Sequence, residues 1–307
     1  MSGPGSGDSS AALGPPTARL NERARQRRWP RLLSPPVDAS GLALVTGAGR
    51  GLGRAIALEL ADRGFDVVAA MRDPAAGASL GAEGAGRRGT ITLERLDITA
   101  LGDYEPPPDL RVLINNAGYR GPYFSVEGTP LAEWRQTFET NLFGVAELIR
   151  RALPALRSTR GVICNVASSG AFFPMPFYSV YRASKAALGV LDETLSLELA
   201  PFGIRVIEIP TGPVDTEMMA SSFSNRPADA VEDPLYRPLA ERQFSGRQPI
   251  TPASPEEEAR GIVDEVLRDE GPLRRPAVPG EAQMVERWRA TTDEQRLEGI
   301  RRFLDLG

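Results

Sequence analysis

The fold is decided by the stretch Leu42-Ala43-Leu44-Val45-Thr46-Gly47-Ala48-Gly49-Arg50-Gly51-Leu52-Gly53. Its first four residues are apolar and predict a short buried strand, and the residues after the glycines predict a helix that ends near Arg63, before Gly64. A glycine-rich turn between a strand and a helix lets the backbone approach a pyrophosphate at the helix N-terminus, where unpaired N–H groups attract anions. The stretch therefore favours a dinucleotide site over its alternative, a tight turn without a ligand.

Apolar strands and helices alternate along the rest of the chain. Further strands are predicted over 66–71, 90–96, 112–114, 162–166 and 204–209, and a long helical stretch over 131–157. This alternation is typical of a parallel sheet that is covered on both faces. We therefore predict a single domain over 40–307, an α/β fold with a doubly wound, Rossmann-like parallel sheet.

The connection between Asp97 and Leu110 is unusually short for such a fold. It ends in Pro106-Pro107-Pro108, which cannot continue a helix. Its extended residues can span about 40 Å, whereas crossing three strand spacings needs only about 14 Å. We predict that the chain crosses here without a helix and leaves part of one sheet face less covered.

The composition excludes several classes of site. The chain has no histidine and one cysteine, Cys164, which excludes His-assisted triads, imidazole metal sites and disulfide frameworks. Cys164 lies in an apolar run and is expected in the core, and no metal site is predicted. A net charge of −4 is not the basic charge that is typical of nucleic-acid-binding proteins. No apolar run reaches the roughly 18 residues that span a membrane. We therefore expect a cytoplasmic protein with neither a nucleic-acid nor a membrane partner.

Residues 1–39 differ in composition from the rest of the chain. They are rich in Gly, Pro and Ser, then in Arg, and have few apolar residues. This composition predicts a disordered N-terminal tail. An arginine-rich targeting peptide is the alternative, against which stand the acidic residues Asp8, Glu22 and Asp38.

The single lysine of the chain, Lys185, follows Tyr181 by four residues. This spacing places both side chains on one face of a helix. A nearby cation lowers the pKa of a phenol, so the pair predicts a proton donor and acceptor. The alternative is a surface pair on an ordinary amphipathic helix.

Five motifs occur in a fixed order: Thr46-Gly47-x-x-x-Gly51-x-Gly53, Asn115-Asn116-Ala117-Gly118, Asn141, Ser168 and Tyr181-x-x-x-Lys185. With these motifs the chain resembles the short-chain dehydrogenase/reductase family, in its single-domain oxidoreductase branch. The resemblance extends over about Leu42 to Thr216, and more weakly to the C-terminus. It implies a seven-stranded parallel sheet, and interconversion of a ketone and a secondary alcohol with NAD(P) as the hydride carrier.

The resemblance also implies four catalytic residues. Tyr181 is the expected general acid and base, and Lys185 is expected to bind the nicotinamide ribose and lower the pKa of Tyr181. Ser168, thirteen residues before the tyrosine, would orient the carbonyl, with Ser169 as the competing assignment. Asn141 would hold a proton-relay water, or alternatively bond locally and bend its helix.

The cofactor preference is predicted from charge. Where NAD-binding relatives carry an aspartate after the second strand, this chain has Met71 followed by Arg72. Arginine can bind a 2′-phosphate that a carboxylate would repel, and Arg50 adds a second cation, so NADP(H) is preferred to NAD(H). Asp97 matches the adenine-binding aspartate of the family. The other residues expected at the cofactor are Gly47, Gly51, Leu52, Gly53, Ile98, Asn116, Ala117, Gly118, Tyr181, Lys185, Val214 and Thr216.

The substrate loop is predicted over about 213–255. Just before it, Thr211 occupies a usual proline position of the family, which puts the rigidity of the loop in question. Aromatic and Met residues near the site favour an apolar substrate, against the alternative that they pack on the loop's own core. They are Phe172, Phe173, Met175, Phe177, Met218, Met219, Phe223, Tyr236 and Phe244.

We thus predict an NADP(H)-dependent oxidoreductase that acts on a small-molecule ketone or alcohol, as a homo-oligomer (dimer or tetramer). One alternative is a non-catalytic NADP-binding sensor, although such proteins typically lose the tyrosine or the lysine. Another is an NAD-dependent alcohol dehydrogenase of the same fold. The glycine spacing disfavours a sugar-nucleotide epimerase.

Overall fold

The structure is a computed structural model that describes residues 40–224, 233–245 and 251–306. The predicted tail over 1–39 lies outside these residues, as do two parts of the predicted substrate loop, 225–232 and 246–250. The side chain of Phe223 also lies outside the described part.

Six parallel strands form the sheet, and they confirm the predicted doubly wound α/β fold. Their order is β3-β2-β1-β4-β5-β6, which reverses between β1 and β4. Most strand residues are buried, as expected of a sheet covered on both faces. In such a fold the ligand crevice lies at the carboxyl ends of the strands, at this reversal. The strands are β1 (Leu42–Thr46), β2 (Asp66–Met71), β3 (Ile91–Arg95), β4 (Leu110–Asn115), β5 (Val162–Val166) and β6 (Arg205–Ile209).

Helices cover both faces of the sheet and create two apolar cores. The first core packs Ile56 and Leu60 of α1 with Ile262 of α8, and the second includes Leu148 of α4 and Leu188 of α5. No helix in the described residues is long and apolar enough to cross a membrane. The helices are α1 (Gly51–Arg63), α2 (Ala78–Gly84), α3 (Leu131–Phe138), α4 (Gly144–Thr159), α5 (Ser179–Leu199), α6 (Glu217–Ser224), α7 (Arg237–Ser245), α8 (Pro255–Leu267), α9 (Pro279–Arg289) and α10 (Asp293–Leu304).

The prediction of seven strands is wrong for the described residues. At the position of a seventh strand, beside β6, a segment makes a single parallel bridge between Arg274 and Glu208. Glu208 N donates to the carbonyl of Leu273, and Arg275 N donates to the carbonyl of Glu208, both at 2.9 Å. Pro272 and Pro276 flank this bridge. Because proline has no N–H to donate to a ladder, the pairing stops after one residue pair.

The connection between β3 and β4 contains no helix, as predicted. Leu101 is buried and Tyr104 is partly buried, and both pack against the second apolar core. The short connection therefore covers this part of the sheet with its own side chains. The sheet face is better covered here than we predicted from the sequence.

The helical stretch predicted over 131–157 is interrupted. One turn of π-helix, Glu139–Phe143, separates α3 from α4. Single π turns inside helices are frequent at functional sites, and this one contains Asn141. The change in helical pitch sets the direction in which Asn141 enters the interior.

Candidate active site

The glycine-rich turn after β1 is joined to the loop after β4. Asn116 Nδ2 donates hydrogen bonds to the carbonyl oxygens of Thr46 (2.9 Å) and Gly47 (3.3 Å). In return, Thr46 Oγ1 accepts from the backbone N–H groups of Asn116 and Ala117, each at 3.1 Å. These bonds hold both loops side by side at the reversal of the strand order.

Glycine is required at three positions of this turn. Gly47 and Gly51 have φ angles of 67° and 52°, which side chains disfavour. At Gly53 a Cβ would collide with Asn116 Nδ2 and with the carbonyl oxygen of Gly47. The first turn of α1 consequently borders an open cavity, and its backbone N–H groups have no partner within the helix.

That cavity, of about 1810 Å³, joins the predicted cofactor and catalytic residues. Its volume exceeds the 300–1,000 Å³ of an ordinary ligand pocket, and it extends from the glycine-rich turn to α5. The glycine turn, open to close backbone approach, fits the pyrophosphate of a dinucleotide. The predicted residues that line the cavity are Gly47, Arg50, Gly51, Leu52, Gly53, Arg72, Asp97, Ile98, Asn116, Ala117, Gly118, Ser168, Tyr181, Lys185, Val214 and Thr216.

Tyr181 lies in the first turn of α5 and contacts a residue that follows β5. The Ser168 hydroxyl is hydrogen-bonded to the Tyr181 phenol, and Ser168 also accepts from Gly170 N at 3.2 Å. Ser169, the competing serine, is buried, and its N–H donates to the carbonyl of Thr211. Of the two serines, Ser168 has its hydroxyl at the phenol.

Lys185 lies one helical turn after Tyr181 and is buried. Its Nζ donates a hydrogen bond of 2.8 Å to the carbonyl oxygen of Val166 and lies 5.9 Å from the centroid of the Tyr181 ring. Burial lowers the pKa of Lys185 to about 8, while the carboxylates of Asp192 and Glu208 oppose this change. The ammonium is therefore held at the end of β5, with two buried acidic groups supporting its charge.

The pKa of Tyr181 departs from the prediction. Burial raises it above its ordinary value of 10, and the Ser168 hydrogen bond and the positive charge of Arg120 act in the opposite direction. The lowering expected from Lys185 is not found. The pKa of Lys185 is itself lowered to about 8, so the lysine has lost its charge at the pH at which this phenol ionises.

Asn141 is completely buried and bonds locally. Its Nδ2 donates to the Tyr119 carbonyl (2.7 Å) and to Ser184 Oγ (3.0 Å), and its Oδ1 accepts from Tyr119 N (2.8 Å). Both amide protons are thus used, which leaves one acceptor site on Oδ1. The side chain joins the π turn to α5 and to the loop after β4, and it does not line the cavity.

Arg72 and Asp97 lie at the adenosine end of the predicted site. Arg72 is exposed, and its charge contributes to lowering the pKa of Asp97. The largest contribution to that lowered pKa comes from Thr99, whose hydroxyl donates to Asp97 Oδ1 at 2.7 Å. Among the described residues, Arg72 forms no ion pair.

Arg50 is held differently from Arg72. Its guanidinium forms an ion pair with Glu217, the first residue of α6, and both side chains are exposed. The pair links the glycine-rich turn to the start of the substrate loop. Of the two predicted phosphate-binding arginines, Arg72 has the freer guanidinium.

The loop after β6 is well anchored although it lacks the usual proline. Thr211 Oγ1 donates to the carbonyl of Ala167 at 3.1 Å. Gly212 N donates to the Glu281 carboxylate, and Val214 pairs with Ala253 in a parallel bridge. Hydrogen bonds from three directions therefore restrain this loop.

The predicted apolar residues divide into two groups. Phe173, Met175, Met218, Met219 and Phe244 line the cavity. Phe172 instead stacks on Trp288 (4.6 Å), and Phe177 contacts Tyr236 (6.2 Å). Some of the predicted apolar residues therefore line the cavity, as expected for an apolar substrate, and the others pack against the protein itself.

Several cavity residues escaped the sequence analysis, namely Arg120, Tyr123, Tyr178 and Met284. Two of these residues could have been predicted from their position in the sequence, next to motifs of the site. Arg120 comes two residues after Gly118, in the loop at the carboxyl end of β4, and Tyr178 immediately precedes α5. Met284 lies on α9, and no local pattern connects that helix with the site.

The residues 41–227 match the family model described as short chain dehydrogenase. The chain is 35% identical to the uncharacterized oxidoreductase YusZ of Bacillus subtilis, over 64% of this chain and 72% of that protein. It is 34% identical to the human 11-beta-hydroxysteroid dehydrogenase type 2, over 58% of this chain and 46% of that protein. Among solved structures, a short chain dehydrogenase from Burkholderia cenocepacia in complex with NADP has a TM-score of 0.64 and 27% identity, with coverage of 85% and 96%.

Proposed function

This chain belongs to the short-chain dehydrogenase family, and we propose that it interconverts a ketone and a secondary alcohol with NADP(H) as the hydride carrier. The observation that carries the proposal is the grouping of Ser168, Tyr181 and Lys185 around one end of a cavity. At its other end the same cavity reaches the glycine-rich turn and Arg72.

Tyr181 is the proton donor in this proposal. When bound, the nicotinamide supplies the hydride to the carbonyl carbon. The Tyr181 phenol gives its proton to the carbonyl oxygen, and the Ser168 hydroxyl orients that oxygen. In the oxidative direction the phenolate accepts the alcohol proton. Burial raises the pKa of Tyr181, which favours the protonated phenol that carbonyl reduction needs as its proton donor.

Charge at the end of β2 supports NADP(H). Met71 stands where an acidic residue would select NAD(H), and the exposed guanidinium of the next residue, Arg72, can clamp a 2′-phosphate. Binding of NADP by the Burkholderia cenocepacia protein agrees with this preference. Arg50 contributes less, because Glu217 neutralises it.

The cavity lining supports a substrate with an apolar body. Phe173, Met175, Met219 and Phe244 line it together with Met284. Methionine side chains adapt to irregular apolar ligands. The steroid substrate named for the human relative is consistent with such a lining.

Exposed apolar side chains support a homo-oligomer. Val190 and Leu197 lie seven residues apart on one face of α5 and are 62% and 78% exposed. Phe143, before α4, is 54% exposed. Burial of these residues against a second copy of the chain would remove a substantial apolar area from water.

A panel of ketones and secondary alcohols, assayed with NADPH and NADH at the cofactor absorbance, tests the proposal. We expect turnover that prefers NADPH. Tight cofactor binding without turnover of any compound would instead support a non-catalytic sensor, and a preference for NADH would support the NAD-dependent alternative.

A further inference from the structure

One half-buried cation of the cavity, Arg120, makes neither a side-chain hydrogen bond nor an ion pair with the described residues. Arg120 lies in the loop after β4 and lines the cavity with Tyr181. Its Nε and Nη1 atoms are buried and make no hydrogen bond, and among the described residues no carboxylate lies within ion-pair distance of it. A guanidinium has five N–H donors, so a substantial hydrogen-bonding capacity is unused at this position.

Other buried or partly buried arginines make side-chain hydrogen bonds within the chain, although Arg205 and Arg274 each also have a buried Nε without one. Arg182 donates to the carbonyl oxygens of Gly170 (2.9 Å) and Ala171 (3.3 Å). Arg275 donates to the carbonyls of Glu265 and Arg268. Because an unpaired buried polar group destabilises the fold, the contrast indicates that the partner of Arg120 comes from outside the described residues.

A row of tyrosines connects Arg120 with the reacting phenol. The Arg120 guanidinium lies over the Tyr123 ring, 4.6 Å from its centroid. Tyr123 stacks on Tyr178 at 5.0 Å, and Tyr178 contacts Tyr181 at 4.9 Å. The rings fix Arg120 at a set separation from the catalytic phenol, and the stacking keeps the planar guanidinium in place without neutralising it.

Six acidic residues line the cavity, Asp73, Asp97, Glu139, Glu217, Glu257 and Glu281, and none of them forms an ion pair with Arg120. Glu217 is paired with Arg50, and Glu281 accepts backbone hydrogen bonds of Gly212 and Ala277. The fold thus places, beside Tyr181 in the cavity, a positive charge that forms no ion pair with the described residues.

We propose that Arg120 binds an oxyanion of the substrate, a carboxylate or a phosphate, so that the substrate is an amphipathic oxo or hydroxy acid. Its carbonyl or hydroxyl group would lie at Tyr181, its apolar chain along Met175 and Phe244, and its acidic group at Arg120. The planar fork of arginine matches both oxyanions, and a desolvated site strengthens the contact. This inference rests on the proposed function and names the substrate class for the same site.

A binding measurement tests the oxyanion site without turnover. Hexanoate, hexyl phosphate and hexanamide are titrated calorimetrically into the NADP-saturated wild type and into Arg120→Gln, Arg120→Met and Arg120→Lys. We expect at least one anion to bind the wild type roughly tenfold more tightly than hexanamide, as for charge-assisted hydrogen bonds. The two neutral variants should lose this difference, and Arg120→Lys should retain part of it. The anion that binds more tightly distinguishes a carboxylate from a phosphate substrate.

Arg150→Gln is the matched control, because Arg150 is exposed and paired with Glu147 on α4. It should bind all three probes as the wild type does. Equal affinity of the wild type for the three probes, or anion binding that survives both neutral substitutions, would overturn the proposal. Thermal melting shows whether each variant is folded. If either Arg120→Gln or Arg120→Met does not fold, the other neutral variant is used for the test.

A turnover measurement separates this inference from the proposed function. Oxo acids of six to ten carbons and their methyl esters are reduced with NADPH. We expect the wild type to prefer the acids roughly tenfold in kcat/KM, and Arg120→Gln to abolish that preference. A general electrostatic effect of Arg120 on Tyr181 would instead slow acid and ester alike and shift both pH profiles. Arg120-dependent anion binding without turnover of acid or ester would leave the oxyanion site in place and count against the proposed function.

Discussion

The ammonium of Lys185 donates a 2.8 Å hydrogen bond to the carbonyl oxygen of Val166, the last residue of β5. The carboxyl end of a central strand therefore positions the single lysine of the chain beside the Tyr181 ring. Burial at this place lowers the pKa of Lys185 to about 8, so the contact holds an ammonium that titrates close to physiological pH.

Lys185→Arg should reduce kcat/KM nearly as much as Lys185→Met, by about 100-fold or more. Because Lys185 is buried against a backbone carbonyl, the wider guanidinium cannot occupy its place without displacing a neighbour. The measurement is kcat/KM across pH for the wild type and both variants. If the site needed only a positive charge at position 185, kcat/KM of Lys185→Arg would lie within about threefold of the wild-type value. This corresponds to a loss of transition-state stabilisation under roughly 0.7 kcal/mol.

Tyr181→Phe should lower kcat by about a thousandfold or more while NADPH binding stays unchanged, because the variant lacks only the transferable proton. Stopped-flow turnover and a cofactor titration measure the two quantities. Tyr178→Phe is the matched control, since Tyr178 lies 4.9 Å from the same ring and also lines the cavity. If Tyr178→Phe lost activity and Tyr181→Phe did not, Tyr178 would be the general acid.

Arg72→Asp should shift the ratio of kcat/KM for NADPH over NADH toward NADH, by roughly tenfold or more. The new carboxylate would repel the 2′-phosphate and accept from the ribose hydroxyls. Arg50→Gln should change the ratio less, because Arg50 is paired with Glu217. An unchanged ratio in Arg72→Asp, or a wild type that prefers NADH, contradicts the assignment.

Glu258→Gln should stabilise the protein more at alkaline than at acidic pH. Glu258 is fully buried, and burial together with the neighbouring Glu281 raises its pKa above the ordinary value of 4.5. Above pH 4.5 the folded state then binds more protons than the unfolded state, so stability falls as pH rises. Glutamine removes this loss because it has no proton to release.

Thermal melting at pH 5 and pH 8 measures the effect. The gain in Tm from Glu258→Gln should be about 2 °C or more larger at pH 8. Glu256→Gln, an exposed substitution in the same helix, should show no such dependence. A gain in Tm that is the same at both pH values would show that Glu258 is ionised in the folded protein.

Local patterns predicted much of the site. The order of strand, glycine turn and helix over 42–63 follows from short-range preferences, and the structure confirms it. The spacing of Tyr181 and Lys185 likewise follows from helical periodicity. The seventh strand was predicted from resemblance, but Pro272 and Pro276 reduce it to one bridge, an effect of residues outside the motifs.

By itself, the sequence determined the chemistry available to this protein: a phenol, one ammonium, a glycine turn and no imidazole. The tertiary structure alone decided how strongly each group is buried and what it contacts. Asn141 contacts Ser184 across 43 residues of chain, and Arg120 reaches the cavity of Tyr181 without an ion pair to the part of the chain that the structure describes. Such contacts follow from the packing of distant segments. Because burial and neighbouring groups control a pKa, only the assembled fold shows that burial of Tyr181 outweighs the Ser168 hydrogen bond and the charge of Arg120.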